Sequence, residues 1–567
     1  MPYRNYPVTL YENLKKMYHA SAEHWGEKPF LLEKRNGSYQ AISFATFGKE
    51  VDALGTQLCA MGLQGKKILL IGENSFAWAI AYMAVICGVG VVVPVDKNLP
   101  SEEIKNIAFR AEISAVIASK SCLPKLAGLS PSLVQISFED LKQLIREGKE
   151  RIEAGDRIYL DAEIDPNEMR VLLFTSGTGG DAKGVMLSHR NFCFNLSEMC
   201  RMFYIDEKDT FLSVLPLHHS YECTCGFLCP LYRGATVAFC EGLRYMTRNM
   251  REVSPTILLC VPLLLETVYR KIWENIRKNG LEKKVEAMLQ MTASIPSDKI
   301  RPLSQKKLFV DIHKSFGGRL RAMISGGAAA DPEVIRGLRA FGFQAYQGYG
   351  LTECAPLVAL NRDRFYNDAS AGLATPNALL DIYDAQNDGV GEIRYRGENV
   401  MLGYYGQPEA TAEVIRDGWL YTGDLGYLDE NGFLYVTGRK KNVIVTANGK
   451  NIFPEELEIS LNKTPFIKES VVVGCKNAKK KDHDIIAVIY PDFSCLEQSF
   501  GAHYTEAQLQ LEMKKAISGV NASVQAYKRI GNFVIRREAF PKNSSQKIIR
   551  TGLAEEVALA YEAKKSK

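Results

Sequence analysis

The sequence predicts an α/β protein: a large N-terminal domain with parallel-type sheets and helices, followed by a smaller α+β C-terminal domain. Three observations lead there. The chain has 567 residues, too many for one ordinary core. Short β-branched runs alternate with helical segments over most of its length, the pattern of strands joined by crossover helices. From about residue 380 the texture changes to short alternating strands broken by turns such as Asp388-Gly389 and Glu430-Asn431-Gly432, and past Gly438-Arg439 a basic α+β segment begins. The division is therefore placed at 1–437 and 438–567.

The elements follow in order. Lys67 to Ile71 is a strand. Phe76 to Val95 carries no charge and is long enough to cross a bilayer, yet it reads better as two elements. Asn74-Ser75 can cap a helix running to about Cys87, Gly88 and Gly90 can end it, and Val91 to Val95 is strand material. Ala115 to Ala118, Thr236 to Phe239, Thr256 to Leu259 and Arg321 to Ile324 are further strands. A helix should start near Asp331-Pro332, where proline suits the first turn.

Composition narrows the function. With 46% hydrophobic and 24% charged residues the chain is of soluble globular type. A net charge of +5 gives no case for nucleic acid as partner. Thirteen cysteines without a framework predict free thiols in a reducing compartment, and hence a cytoplasmic protein. Cys223, Cys225 and Cys229 beside His218 and His219 lack the paired C-x-x-C spacing of a zinc site. The N-terminal stretch shows no apolar secretory core.

Residues 171–190, VLLFTSGTGGDAKGVMLSHR, hold the chemistry. A strand runs into Thr, Ser and Gly around one cation, Lys183, and an apolar run follows. A glycine-rich loop pinned between strands can bring backbone N–H groups close to an anion, and the polyphosphate of a nucleotide is the obvious one. Neither the Walker pattern nor G-x-G-x-x-G fits, because Ala182 precedes Lys183 and Gly184 follows it.

Six motifs in order resemble the adenylate-forming superfamily of acyl-CoA synthetases, luciferases and peptide-synthetase adenylation domains. Thr175 to Gly184 resembles TSGTTGxPKG, with Gly179 for a Thr and Ala182 for a Pro. Leu215 to His219 resembles LPLxH, and Tyr349 to Glu353 resembles YGxTE. Tyr421 to Asp424 matches YTGD, and Gly438 to Lys441 resembles GRxK. Pro541 to Arg550 resembles PKTxxGKIxR, with Gln546 for a Gly.

The resemblance implies a two-step ligase with ATP, Mg²⁺ and coenzyme A. Thr175, Ser176, Gly177, Thr178, Gly179, Gly180 and Lys183 would hold the β- and γ-phosphates. Gly327, Ala328 and Ala329 would line the adenine and the acyl pocket. Gln347, Gly348, Tyr349 and Gly350 would border the nucleotide, with Tyr349 stacked on adenine. Thr352 would contact the α-phosphate, and Glu353 would hold Mg²⁺. Asp424 would accept from the ribose hydroxyls, Arg439 would donate to ribose or phosphate, and His219 would sit beside the acyl pocket. Lys547 would reach the α-phosphate and carboxylate. Gly449, in Ala447 to Pro454, would face the pantetheine tunnel, and the small domain would turn about Lys441.

Leu215 to Glu222 and Val261 to Tyr269 resemble the enzymes of medium- and long-chain fatty acids. Two alternatives stay open: an adenylating ligase that loads an acyl carrier protein or takes an aryl or short acid, and a non-catalytic acyl or nucleotide sensor. Partners would be small molecules, with at most peripheral membrane contact.

Overall fold

A computed structural model describes residues 4–175, 182–294, 300–446, 450–477, 482–501, 504–542, 548–550, 552, 553 and 555–557. Its architecture is the predicted one, a large N-terminal α/β domain and a smaller α+β domain.

Two large sheets carry the first domain. The strands Met169–Thr175, Val91–Val95, Lys67–Ile71, Ala115–Ala118 and Val134–Ser137 run parallel in that order, and Lys183–Ser188 and Gly403–Tyr404 add an antiparallel edge. In the other sheet, Gln344–Gly350, Ala322–Ser325, Ile257–Cys260, Thr210–Ser213, Thr236–Phe239 and Pro29–Arg35 are parallel, with antiparallel strands at both ends. Each predicted strand lies here within a residue or so of its expected bounds.

The uncharged run from Phe76 belongs to the core. Ser75 caps the helix Phe76–Ala84 by accepting from the Trp78 N–H. The helix is buried on every side because one cluster joins it to Ile68 and Val92 of one sheet and Phe211 and Val237 of the other. Trp78 stacks on Tyr82 with ring centroids 5.1 Å apart. Burial between two sheets, rather than in lipid, satisfies its apolar surface. The α-helix stops at Ala84, earlier than expected, and a wider π-turn, Val85–Val89, leads into the strand.

Asp331 caps the helix Pro332–Ala340 by accepting from the Glu333 N–H, as the Asp-Pro pair predicts. A third, antiparallel sheet contains Leu379–Tyr383, Gly391–Arg396, Trp419–Leu428 and Leu434–Arg439. A 3₁₀ turn, Lys440–Asn442, then leads to the small domain, where Ile467–Asn477, Asp482–Pro491 and Asn532–Ile535 form a sheet backed by the helices Pro454–Asn462 and Glu506–Ser523. The thirteen cysteines form no disulfide among the described residues.

Candidate active site

The motif at 171–190 folds as an antiparallel hairpin, with Thr175 opposite Lys183. Residues 176–181, and with them Ser176, Gly177, Thr178, Gly179 and Gly180, lie outside the described residues. The Thr175 hydroxyl donates to the Lys183 carbonyl at 3.4 Å, which closes the base of the hairpin.

Lys183 has an aromatic partner that its motif does not announce. The short strand Gly403–Tyr404 pairs with the hairpin, Tyr404 opposite Val185, and is fastened by Tyr405 N–H to Gly184 O (2.7 Å) and Leu402 N–H to Met186 O (3.0 Å). This brings the Tyr404 ring 4.5 Å from the Lys183 ammonium, a cation–π contact. The same side chain donates its hydroxyl to Glu353 Oε1 at 2.9 Å. Burial and the Glu353 carboxylate raise the Tyr404 phenol far above its usual range, so it stays a donor. Glu353 sits with Thr352 in the 3₁₀ turn Thr352–Cys354, just past the strand Gln344–Gly350, and its carbonyl accepts from the Met401 N–H at 2.8 Å. One ring thus ties the cation to the carboxylate.

Asp424 forms the next group. It is 4% exposed and lies opposite Arg439 in the antiparallel register. Tyr349 donates its hydroxyl to Asp424 Oδ2 at 2.7 Å, and Arg439 Nε lies 2.9 Å from Oδ1. The backbone reaches this geometry through Gly423, whose φ of +71° is left-handed. Lys441 follows in the exposed turn.

Gln347 fixes the loop that holds Gly327, Ala328 and Ala329. Its Oε1 accepts from the Ala330 N–H at 3.0 Å and its Nε2 donates to the Ser370 carbonyl at 2.6 Å. The three small residues remain exposed. Gly348 and Gly350 allow close backbone packing: a Cβ at Gly350 would fall 2.2 Å from the Pro356 carbonyl oxygen.

His219 stands next to His218, ring centroids 4.2 Å apart, in the loop before a buried π-helical turn, Glu222–Leu228. Burial, with His219 adding to it, pushes the His218 imidazole well down. Tyr221 ties this loop to the Gly327 loop, donating to the Ile324 carbonyl at 2.8 Å with its ring against Gly326. Burial pushes the Glu222 carboxyl up to about 8, and Ser213 pulls against it.

A cavity of about 220 Å³ lies beside these groups, lined among others by Glu353, Tyr404, Glu392, Arg416, Thr422, Gly423 and Lys440. Glu392 bridges across it, accepting from Lys440 Nζ at 2.8 Å and from the Gly423 N–H at 3.2 Å. Sequence reasoning missed Tyr404, Glu392 and Lys440. Lys440 alone had a signal, lying inside the GRxK segment. Lys547 and Gly449 lie outside the described residues. No group of three metal-ligating side chains occurs among the described residues.

A cation and a carboxylate are held on one ring, and an aspartate is paired with a tyrosine and an arginine, at the positions that the adenylate-forming resemblance assigns to the nucleotide. The chain belongs to the AMP-binding enzyme family: the family model matches residues 18–405, and that of the AMP-binding enzyme C-terminal domain matches 441–563. Long-chain-fatty-acid–CoA ligase 5 of Mus musculus is 31% identical over 528 residues, 85% of this chain and 75% of that protein. Long-chain-fatty-acid–CoA ligase 1 of Homo sapiens is 27% identical over 586 residues, 94% of this chain and 82% of that protein. The solved o-succinylbenzoate CoA synthetase of Bacillus subtilis shares the fold with a TM-score of 0.72 at 21% identity, covering 96% of this chain and 98% of that one.

Proposed function

We propose that this protein is an AMP-forming acid–CoA ligase acting on a medium- or long-chain fatty acid: ATP, the acid and coenzyme A give acyl-CoA, AMP and pyrophosphate. The Lys183–Tyr404–Glu353 arrangement carries the reading, because it puts a cation and a carboxylate at a fixed spacing beside a cavity. The fatty-acid class is supported by the names of the curated relatives, whereas the solved o-succinylbenzoate enzyme shares only the fold.

A carboxylate oxygen leaves poorly, so the acid is first joined to AMP as a mixed anhydride. Lys183 and Thr175 would hold the β- and γ-phosphates and favour departure of pyrophosphate by stabilising its charge. Glu353 suits Mg²⁺: among the described residues only its Oε1 is engaged by a side chain, the Tyr404 hydroxyl. When bound, the ion would neutralise phosphate charge. Asp424 and Arg439 would hold the ribose, Thr352 the α-phosphate and Tyr349 the adenine, and Lys547 would bridge α-phosphate and carboxylate.

The thiol step needs other groups at the same anhydride. We place the domain division at 437/438 and assign Gly449 to the pantetheine path, so the small domain turns about Lys441 between steps. Coenzyme A is the acceptor in the relatives' names, and no observation favours a carrier protein or a sensor role. No helix among the described residues is long and apolar enough to cross a membrane. The test is carboxylate-dependent pyrophosphate release across acids of increasing length, with and without coenzyme A. Release that peaks at medium or long chains supports the reading, and none with any acid overturns it.

A further inference from the structure

The strand Gly403–Tyr404 is two residues long, yet it places the ring that joins Lys183 to Glu353. Consecutive residues of an extended chain point to opposite faces of a sheet. Tyr404 accordingly packs in the cluster of Ile68, Val92 and Val185, whereas Tyr405 packs against Leu69, Val93 and Leu172 on the other face. There Tyr405 repeats the arrangement. Its ring lies 4.4 Å from the Lys67 ammonium, and its hydroxyl donates to Glu112 Oε2 at 2.7 Å. The same hydroxyl accepts from Lys67 Nζ, which also donates to Glu112 Oε2 at 2.9 Å. Each of two adjacent tyrosines thus holds one lysine against its ring and one glutamate on its hydroxyl.

The outer group is anchored in the body of the sheet. Lys67 opens the parallel strand Lys67–Ile71, and Glu112 ends the helix Ser101–Ala111 in a left-handed conformation, φ +52°. From the same helix end, the Arg110 guanidinium lies 5.3 Å from the ring of Phe174, the residue before Thr175 in the hairpin. Lys67 is mostly covered, with 18% of its side chain exposed, whereas that of Glu112 is 72% exposed. A cation against a ring contributes most where it is desolvated, and an exposed ion pair contributes little. The Lys67–Tyr405 contact is therefore the stronger half of the clasp. The strand itself has few ladder bonds, from the Leu402 and Tyr405 N–H groups to hairpin carbonyls, so its tilt depends on side chains. Tyr404 sets that tilt on one face and Tyr405 on the other.

We propose that Tyr405, held by Lys67 and Glu112, is a positioning residue: it fixes the tilt of Gly403–Tyr404 and with it the spacing of Lys183 and Glu353. This rests on the reading of Lys183 as a phosphate-binding cation and of Glu353 as the Mg²⁺ ligand. Tyr405 lies on the face away from these two groups, so it reaches the chemistry only through Tyr404. Its influence should fall on metal-dependent ATP binding and on the first half-reaction, and not on the second.

The test compares Tyr405→Leu, Tyr405→Phe, Lys67→Met, Glu112→Gln, Tyr404→Leu and the double variant Tyr404→Leu/Tyr405→Leu. Each is titrated calorimetrically with ATP, with and without Mg²⁺. Each is also assayed for acid-dependent pyrophosphate release and for thioester formation from synthetic acyl-adenylate and coenzyme A. A misplacement of about 1 Å can lower a rate about 100-fold, so Tyr405→Leu and Lys67→Met should reduce kcat for release by about tenfold or more. The tightening of ATP binding by Mg²⁺ should weaken in parallel, while thioester formation changes little. Tyr405→Phe keeps the ring against Lys67 and should recover part of the loss, and Glu112→Gln should cost less than about fivefold. In the Tyr404→Leu background, Tyr405→Leu should have no further effect on release, since the two act as one unit. Equal loss in both half-reactions, or additive losses in the double variant, would make Tyr405 merely a fold-stabilising contact. If Tyr404→Leu alone leaves release and the Mg²⁺ effect intact, the reading of Lys183 and Glu353 fails instead, and the positioning role with it.

Discussion

Tyr404 donates its hydroxyl to Glu353 Oε1 at 2.9 Å while its ring lies 4.5 Å from the Lys183 ammonium. Two charged residues 170 positions apart in the chain are thereby fixed relative to each other. Tyr404→Phe keeps the ring under Lys183 and removes only the donor to Glu353. A hydrogen bond to a charged group contributes about 1.5–3 kcal/mol net. The variant should release pyrophosphate about tenfold more slowly and need more Mg²⁺ for half-maximal rate, with KM for ATP shifting less than in Tyr404→Leu. Glu353→Gln, which removes the charge, should almost abolish release while the protein stays folded. A Mg²⁺ titration of all three variants decides, and identical Mg²⁺ curves for wild type and Tyr404→Phe would count against the relay.

Asp424 has both carboxylate oxygens engaged, one by Tyr349 and the other by Arg439. Each oxygen keeps a second acceptor site, at which a ribose hydroxyl would bond. The wild-type protein should then prefer ATP over 2′-deoxy-ATP, by about tenfold or more if one hydrogen bond to a charged acceptor is at stake. Asp424→Ala should raise KM for ATP and flatten that preference. Equal kcat/KM for the two nucleotides in the wild type would remove the ribose assignment.

How much of this was visible in the amino-acid order depends on sequence distance. Thr175 and Lys183 stand in one hairpin, and Asp331 caps the helix that starts at the next residue, so short strings reveal them. Phe76 to Val95 could be divided correctly because a serine cap and two glycines mark its joints. Tyr404 has no such mark. It is one of two tyrosines in a Gly-Tyr-Tyr-Gly stretch that reads as a turn, and its role follows from a two-residue strand pairing with a hairpin far earlier in the chain. The Glu392–Lys440 pair and the Lys67–Tyr405–Glu112 group are likewise made by tertiary packing, which leaves no periodicity to read.

His189 gives a prediction about pH. Its Nδ1 accepts from the Leu14 N–H at 2.9 Å, so Nε2 carries the proton and faces the Ile86 carbonyl at 2.9 Å. Protonating Nδ1 would set two N–H groups against each other in a buried site. Burial pushes this imidazole down to about 4, below the usual 6.5. A group depressed in this way leaves stability intact above pH 6.5 and removes it as pH falls from 6.5 toward 4, by up to about 3 kcal/mol. In denaturant unfolding of the large domain, the gap between wild type and His189→Gln should therefore be widest near pH 7.5 and narrow by pH 5. A gap that stays constant across that range would show that His189 does not titrate as its surroundings require.

Gly449 tests the second half-reaction independently of the first. It precedes Asn451–Ile452 and the helix Pro454–Asn462, whose Glu455 accepts from Asn442 at the junction. If the turn about Lys441 brings Gly449 to the pantetheine path, a side chain there would obstruct the thiol and nothing else. Gly449→Leu should keep acid-dependent ATP–pyrophosphate exchange near the wild-type rate. It should form thioester from supplied acyl-adenylate at least about tenfold more slowly, equivalent to about 1.4 kcal/mol on that barrier. Raising coenzyme A should not restore the rate, because the block lies in reaching the anhydride. Normal thioester formation by a folded Gly449→Leu protein would place the tunnel elsewhere, and parallel loss of exchange would mean that the two steps do not use separate faces of the small domain.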